Sequence, residues 1–251
     1  SIVFTSPTAY RFLLSEVKDC DLSSVRACVS AGETLPKPTW VAWKEKTGLE
    51  ILDGIGSTEL LHIFISSRAD DIRPGATGKP VPGYEAKVVD EDGNEVAPGK
   101  IGKLAVRGPT GCRYLSDERQ KKYVQNGWNL PGDAYQMDED GYFWFKARTD
   151  DMIISSGYNI AGPEVETALI AHQSVLECAV VGVPDVHRGS LIKAFVVLQP
   201  GIFGDEKLKK ELQDFVKNSI APYKYPRSLD FVDSLPKTDT GKIQRFKLRE
   251  C

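Results

Sequence analysis

Residues 148–162 read Arg148-Thr149-Asp150-Asp151-Met152-Ile153-Ile154-Ser155-Ser156-Gly157-Tyr158-Asn159-Ile160-Ala161-Gly162, and they lie where the chain changes character. Upstream are short apolar runs separated by glycine-rich turns. Downstream, strand-like and helix-like patterns alternate. A basic residue, two acids, a short apolar run and a Ser-Ser-Gly turn read as a joint between two domains, 1–148 and 149–251. Within the first, residues 1–68 have a strand–helix pattern and residues 69–148 a β-rich one.

Working upstream, Ile2–Thr5 reads as a strand and Pro7–Val17 as a helix, with proline in the first turn where its missing N–H is not needed. Val25–Val29 is a second strand, Pro36–Lys46 a helix with Trp40 and Trp43 on one face, and Leu49–Leu52 a third strand running into Asp53-Gly54-Ile55-Gly56-Ser57-Thr58-Glu59. This order predicts a parallel sheet with a ligand loop at a strand's C-terminal end. Tyr84–Asp90, Lys103–Arg107 and Tyr142–Phe145 read as strands of an antiparallel, barrel-like unit. Downstream, Pro163–Ala171 is helical, Cys178–Val183 and Ile192–Leu198 are apolar strands, and Leu229–Val232 is a last strand. Leu208, Leu212, Phe215 and Val216 follow the i, i+4, i+7, i+8 spacing of an amphipathic helix over Asp205–Ser219. Ile243–Arg249 adds a final helical turn or two.

Composition bounds the function. At 251 residues, with 41% hydrophobic and 27% charged residues, the chain is an ordinary globular protein of one large or two smaller domains. A net charge of -3 argues against a nucleic-acid partner, and the basic tail (Lys242, Arg245, Lys247, Arg249) reads as a solvated helix face. No apolar run approaches the roughly 18 residues of a membrane span. Ser1-Ile2-Val3-Phe4 has no charged leader before it and reads as an interior strand of a longer chain. Five scattered cysteines, none in CxxC spacing, and only three histidines disfavour a zinc cluster and suit a reducing cytoplasm.

Three motifs carry chemistry, although each taken alone reads first as ordinary structure. In Asp53–Glu59, glycines allow close approach to a flat or anionic ligand, a threonine hydroxyl can bond a phosphate, and a glutamate can hold magnesium. A capped glycine turn has the same pattern. Gly132-Asp133 at the start of a strand suits the paired hydroxyls of a ribose, or is a plain turn aspartate. Pro236-Lys237-Thr238-Asp239-Thr240-Gly241-Lys242 fails the Walker pattern, because Pro236 stands where the first glycine belongs. It remains a mobile turn presenting one lysine, a compact charge suited to a developing anion, or a merely solvated one.

The order of these motifs, Gly-x-Ser-Thr-Glu, then Gly-Asp, then Arg-x-Asp-Asp-x-Ile with Ser-x-Gly, then Pro-Lys-Thr-x-x-Gly-Lys, resembles the adenylate-forming (AMP-binding) superfamily over essentially the whole chain. Asp53–Phe64 and Gly75–Glu85 are similar to benzoate- and 2-aminobenzoate-CoA ligases; Ser156–Glu166 and Ala221–Arg227 are similar to the 2-aminobenzoate and medium-chain acyl-CoA enzymes. The resemblance implies the C-terminal part of an adenylating large domain, with a partial parallel sheet and a small β-barrel-like subdomain, followed by a small mobile α+β domain.

It further implies ATP, magnesium and coenzyme A as ligands, and a site residue by residue. Gly32, Glu33 and the Asp53, Gly54, Ile55, Gly56 backbone would lie beside the adenine; Thr58 would bond phosphate; Glu59 would hold Mg²⁺; Asp133 and Arg148 would bind the ribose. Lys242 would bridge the carboxylate and the α-phosphate, and Asp150 would be the hinge. Ser156, Gly157, Tyr158 and Arg188, with Ser219 as a weaker candidate, would meet coenzyme A; Gly56, His62 and Ile63 would line the acyl pocket. A lone histidine such as His62 is otherwise a packed core residue. The family's Thr-Ser-Gly-Thr-Thr-Gly-x-Pro-Lys phosphate loop is absent, so the sequence reads as a ligase's C-terminal half, with little activity by itself. An aromatic acid such as benzoate or 2-aminobenzoate is the first expectation, and three other readings stay open: a medium-chain fatty acid–CoA ligase, a non-catalytic AMP- or coenzyme A-binding module, and an adenylation domain that loads a carrier protein. The superfamily contains both monomers and dimers.

Overall fold

The computed structural model describes residues 1–238 and 241–249, with Asp19 by its backbone alone. Asp239 and Thr240 of the lysine-bearing turn, and Cys251, lie outside the described residues. The chain divides into two compact units, Ser1–Thr149 and Asp150–Cys251.

In the first unit, β1 (Ile2–Thr5), β2 (Ala27–Ser30) and β3 (Ile51–Gly56) pair in parallel, and β4 (Ile63–Ser66) and β5 (Lys79–Pro80) continue the sheet antiparallel. The crossovers are α1 (Pro7–Glu16) and α2 (Lys37–Thr47). Ser6 caps α1, its Oγ accepting from the Ala9 N–H at 3.3 Å, a contact of the kind that contributes about 1 kcal/mol. Gly48, at φ 73°, ends α2 in the left-handed conformation that favours glycine. Trp40 and Trp43 pack with Tyr10, Cys28 and Ile51, as their shared face predicts. Tyr10 and Trp43 meet edge-on at 4.8 Å, and the Trp40 indole donates to the Ile51 carbonyl at 2.9 Å.

The sequence places the end of the third strand at Leu52, but β3 runs on through Gly56. The reason is β4, which the sequence reading missed: it pairs Gly54 with Ser66 and Gly56 with Ile63, across a bulge between Ile55 and Gly56. Four of the seven motif residues are therefore strand, not loop.

The second sheet holds β6 (Glu85–Val89), β7 (Ile101–Arg107), β8 (Val124–Gln125), β9 (Trp128–Asn129), β10 (Asp133–Met137) and β11 (Phe143–Arg148), all antiparallel; a short helix α3 (Arg119–Tyr123) precedes β8. It is β-rich as expected but open. β7 spends one edge on β6 and divides the other between β10 and β9, and among the described residues no pairing joins the outer strands into a barrel. Leu60, Phe64, Val88, Leu104, Tyr135 and Phe143 form its core.

The second unit begins with a hairpin, β12 (Ile153–Ser155) and β13 (Tyr158–Ile160), followed by α4 (Gly162–Ile170). A sheet of β14 (Val175–Asp185), β15 (Gly189–Leu198) and β16 (Ser228–Phe231) follows, antiparallel then parallel. One face buries Val180, Ala194 and Val196 with residues of α4 and of α5 (Glu206–Ser219); the other buries Ala179, Val181, Phe195 and Val197 with Leu235 and with Leu248 of α6 (Arg245–Arg249). Asp205 caps α5 by accepting from the Leu208 N–H at 2.7 Å. Leu212 and Val216 are buried, as the amphipathic spacing predicts. No described helix is long and apolar enough to cross a membrane.

Candidate active site

In the first unit, the last parallel pair of β2 and β3 brings Ser30, the C-terminal residue of β2, beside Asp53. That is where open α/β sheets present ligand sites. Asp53 is buried, and its Oδ1 has no hydrogen-bond partner. Burial pushes its carboxyl well above the usual range, against the lowering effect of the Gly54 and Leu35 amides. Gly32 has a φ of 92°, and the Glu33 carboxylate next to it is fixed by α1, accepting from the Thr8 hydroxyl at 2.6 Å and the Thr8 N–H at 3.2 Å.

Gly56 is required by backbone rather than by an open ligand space. A Cβ there would lie 2.6 Å from the His62 carbonyl oxygen, so Gly56, His62 and Ile63 are brought together across the bulge. His62 is exposed and not a packed core histidine.

Thr58 and Glu59 follow on a 3-10 turn, Thr58–Leu60, capped by Ser57. Glu59 is held by two tyrosines: Tyr114 donates to Oε1 at 2.7 Å and Tyr123 to Oε2 at 3.4 Å, and the Tyr123 hydroxyl also lies 3.2 Å from Ser57 Oγ. The rings meet edge-on at 6.1 Å. Burial works to raise the Glu59 pKa, but hydrogen bonds from Tyr114, from its own backbone N–H, and from Ser57 and Tyr123 together outweigh it and hold the carboxyl below its usual range. The same bond pushes the Tyr114 phenol up to about 12.

Asp133 opens β10, as the sequence predicts, and is paired in register with Arg148 at the end of β11. Arg148 Nη1 donates to Asp133 Oδ1 at 3.3 Å and to the Pro131 carbonyl at 2.8 Å. The two residues expected to share a ribose are thus neighbours.

In the second unit, Ser156 and Gly157 form the β12–β13 turn at φ 50° and 81°. Nothing lies within 4 Å of a Cβ added to Gly157, so the turn is open on that side. Arg188 clasps it: the Ser156 N–H donates to the Arg188 carbonyl at 2.8 Å, and Arg188 Nη1 donates to Ser156 Oγ at 3.1 Å. Tyr158 stacks on Tyr223 at 4.5 Å. Ser219, at the end of α5, directs its hydroxyl to the Phe215 carbonyl at 2.7 Å and not to this turn. Asp150 lies in the 3-10 turn Thr149–Asp151, its carbonyl accepting from Arg249 Nη2 at 3.4 Å. Lys242 is exposed, its N–H donating to Thr238 Oγ1 at 3.1 Å and its carbonyl accepting from the Thr238 N–H at 2.8 Å.

Sequence reasoning missed Thr8, Tyr114, Tyr123 and Tyr223. No spacing rule points to them, because Tyr114 and Tyr123 stand 55 and 64 residues from Glu59.

Two family models match the chain. The family model described as AMP-binding enzyme matches residues 1–114, and the one described as AMP-binding enzyme C-terminal domain matches residues 164–242. The chain belongs to the AMP-binding enzymes. It is 47% identical over 256 residues to the benzoate–CoA ligase of Thauera aromatica, covering 100% of this chain and 48% of that protein. It is 43% identical over 259 residues to the mitochondrial acyl-coenzyme A synthetase ACSM3 of Rattus norvegicus, covering 99% and 45%. A solved anthranilate CoA ligase in complex with anthranoyl-AMP superposes with a TM-score of 0.93 at 47% identity, over 99% of this chain and 49% of that one. A benzoate CoA ligase from Burkholderia xenovorans gives 0.89 at 43%, over 99% and 50%. The chain spans about half the length of the curated relatives it matches.

Proposed function

We propose that this chain is the C-terminal half of an ATP-dependent, AMP-forming acid–CoA ligase whose acid is aromatic, such as benzoate or 2-aminobenzoate. The observation that carries the reading is the joint retention of a charged Glu59, the Asp133–Arg148 pair and an exposed Lys242, in a chain similar throughout to aryl-CoA ligases. A pure binding module has no use for that lysine.

Two half-reactions follow. A carboxylate oxygen of the acid attacks the α-phosphorus of ATP and pyrophosphate leaves, giving the acyl-adenylate. The sulfur of coenzyme A then attacks the acyl carbon, AMP leaves and the thiol proton is released. Asp133 and Arg148 hold the ribose, Thr58 bonds phosphate, and the Lys242 ammonium stabilises the charge gathering between carboxylate and α-phosphate. For the second step, the small domain turns about Asp150, withdrawing Lys242 and bringing the open Ser156-Gly157-Tyr158 turn and Arg188 to coenzyme A. The setting is a reducing compartment such as the cytoplasm.

Among the described residues no three carboxylates, histidines or cysteines gather into a metal cage. A single ionised glutamate suits magnesium, which takes one or two carboxylates and fills its shell with phosphate oxygens and water. Glu59 would hold it, and the ion would neutralise phosphate charge. Tyr114→Phe, which frees one oxygen of Glu59, is expected to raise the magnesium concentration for half-maximal activity by about tenfold, read from the magnesium dependence of ATP–pyrophosphate exchange. An unchanged dependence would separate Tyr114 from this role.

The test of the function is acid-dependent ATP–pyrophosphate exchange by the full-length protein containing this chain, with benzoate, 2-aminobenzoate and hexanoate in parallel. Exchange with an aryl acid is expected. Exchange with hexanoate alone would move the assignment to medium-chain fatty acids, consistent with the acyl-CoA synthetase relatives. Adenylate formation followed by transfer only to a carrier-protein thiol would favour the carrier-loading reading. No exchange, with AMP or coenzyme A still bound, would favour the binding module.

A further inference from the structure

The turn that presents Lys242 is mounted on the second unit by two ion pairs, one on each side of it. Before the turn, Lys237 Nζ donates to Glu177 Oε2 on β14 at 2.7 Å. After it, Arg245 forks onto Glu166 of α4, with Nη2 at 2.9 Å from Oε1 and 2.8 Å from Oε2, and Nε at 3.3 Å from Oε1. Both carboxylates are 8% exposed. Glu166 Oε1 also accepts the Val180 N–H at 2.8 Å, which ties helix, sheet and tail at one oxygen.

Between these anchors the backbone closes on itself. Lys237 bridges Ile243, the Gln244 N–H donates to the Pro236 carbonyl at 2.8 Å, the Thr238 N–H donates to the Lys242 carbonyl at 2.8 Å, and Thr238 Oγ1 accepts from the Lys242 N–H at 3.1 Å. Leu235 and Leu248 lie buried on the sheet on either side.

Buried ion pairs are a poor source of stability, because desolvation offsets most of their attraction, and well-packed apolar residues often do as well. A bidentate guanidinium fork instead fixes direction. A fork on one side of an exposed lysine and an ammonium–carboxylate pair on the other call for an explanation in geometry rather than in stability.

We infer that Glu166–Arg245 and Glu177–Lys237 are positioning pairs for Lys242, holding its ammonium in the geometry that acid activation needs and serving that half-reaction alone. The inference rests on the proposed role of Lys242 in adenylation. The pairs tie Lys237 and Arg245, on either side of Lys242, to the small domain, so that domain rotation carries the lysine with it.

The discriminating variant is Arg245→Lys in the full-length protein, which keeps the charge opposite Glu166 and loses the fork. Acid-dependent ATP–pyrophosphate exchange is expected to fall about tenfold to a hundredfold, as a misplacement of about 1 Å does. Thioester formation from supplied benzoyl-adenylate and coenzyme A is expected to stay within about twofold. In a Lys242→Ala background, Arg245→Lys should change exchange no further, since the group it positions is gone. An equal fall in both half-reactions, or a fall that persists in the Lys242→Ala background, would overturn the inference and leave the pairs as scaffold only.

Thr238→Val covers the case in which Arg245→Lys does not fold. It removes the acceptor for the Lys242 N–H on the exposed side of the turn, and should lower exchange about threefold to tenfold with the thioester step intact. Unchanged exchange in this variant would count against the inference. A failure of the underlying reading is visible separately, because Lys242→Ala alone would then leave exchange at its original rate.

Discussion

Lys242→Ala in the full-length protein is expected to reduce acid-dependent ATP–pyrophosphate exchange by about 10²–10³-fold, the usual cost of removing one group aimed at developing charge. Transfer of the acyl group from supplied adenylate to coenzyme A should proceed at close to the original rate. The asymmetry is the informative part. Lys242 is exposed on a turn, so its loss should leave the melting temperature nearly unchanged. During adenylation, negative charge from the carboxylate and the α-phosphate converges on one region, and a positioned ammonium stabilises that arrangement more than the separated reactants. During thiol transfer the adenylate already exists and AMP leaves, so the lysine has no comparable charge to meet. Lys242→Arg should recover only part of the exchange, because a planar fork cannot reproduce a point charge at the end of a flexible stem. Equal loss of both half-reactions would remove Lys242 from the role given to it.

The isolated 251-residue chain is expected to form no acyl-CoA above background from benzoate, ATP and coenzyme A. The sequence lacks the Thr/Ser/Gly-rich loop that the resemblance assigns to the β,γ-phosphates, and it spans 48% of the benzoate–CoA ligase it matches. A loop of backbone N–H groups around the phosphates is a large share of the electrostatic stabilisation available to phosphoryl chemistry, and Thr58 and Glu59 alone do not replace it. Circular dichroism and a cooperative thermal transition would establish that the assayed chain is folded. Robust acyl-CoA formation by such a sample would overturn the prediction and relocate the phosphate site to residues of this chain.

Local patterning was legible in the sequence. The spacing of Leu208, Leu212, Phe215 and Val216 marks α5, and Asp205 caps it; Trp40 and Trp43 share a buried face; Gly132-Asp133 announces the start of β10. Each of these is set by neighbours a few residues apart, within reach of propensity and periodicity. The ordered set of Glu59, Asp133, Arg148 and Lys242 was singled out only by resemblance to the AMP-binding superfamily, since each motif alone reads first as an ordinary turn or a solvated lysine.

What only the tertiary structure decided was which side chains meet. Asp53–Gly56 is strand rather than loop because β2 pairs with Asp53 and β4 with Gly54–Gly56, and a Cβ at Gly56 would strike the His62 backbone. Glu59 is clasped by tyrosines 55 and 64 residues away, Glu33 by a threonine 25 residues away, and Glu166 by an arginine 79 residues away. Such meetings depend on strand register and on how helices lie over a sheet. Periodicity reports which face of an element is apolar; it carries no information about which distant element will cover that face.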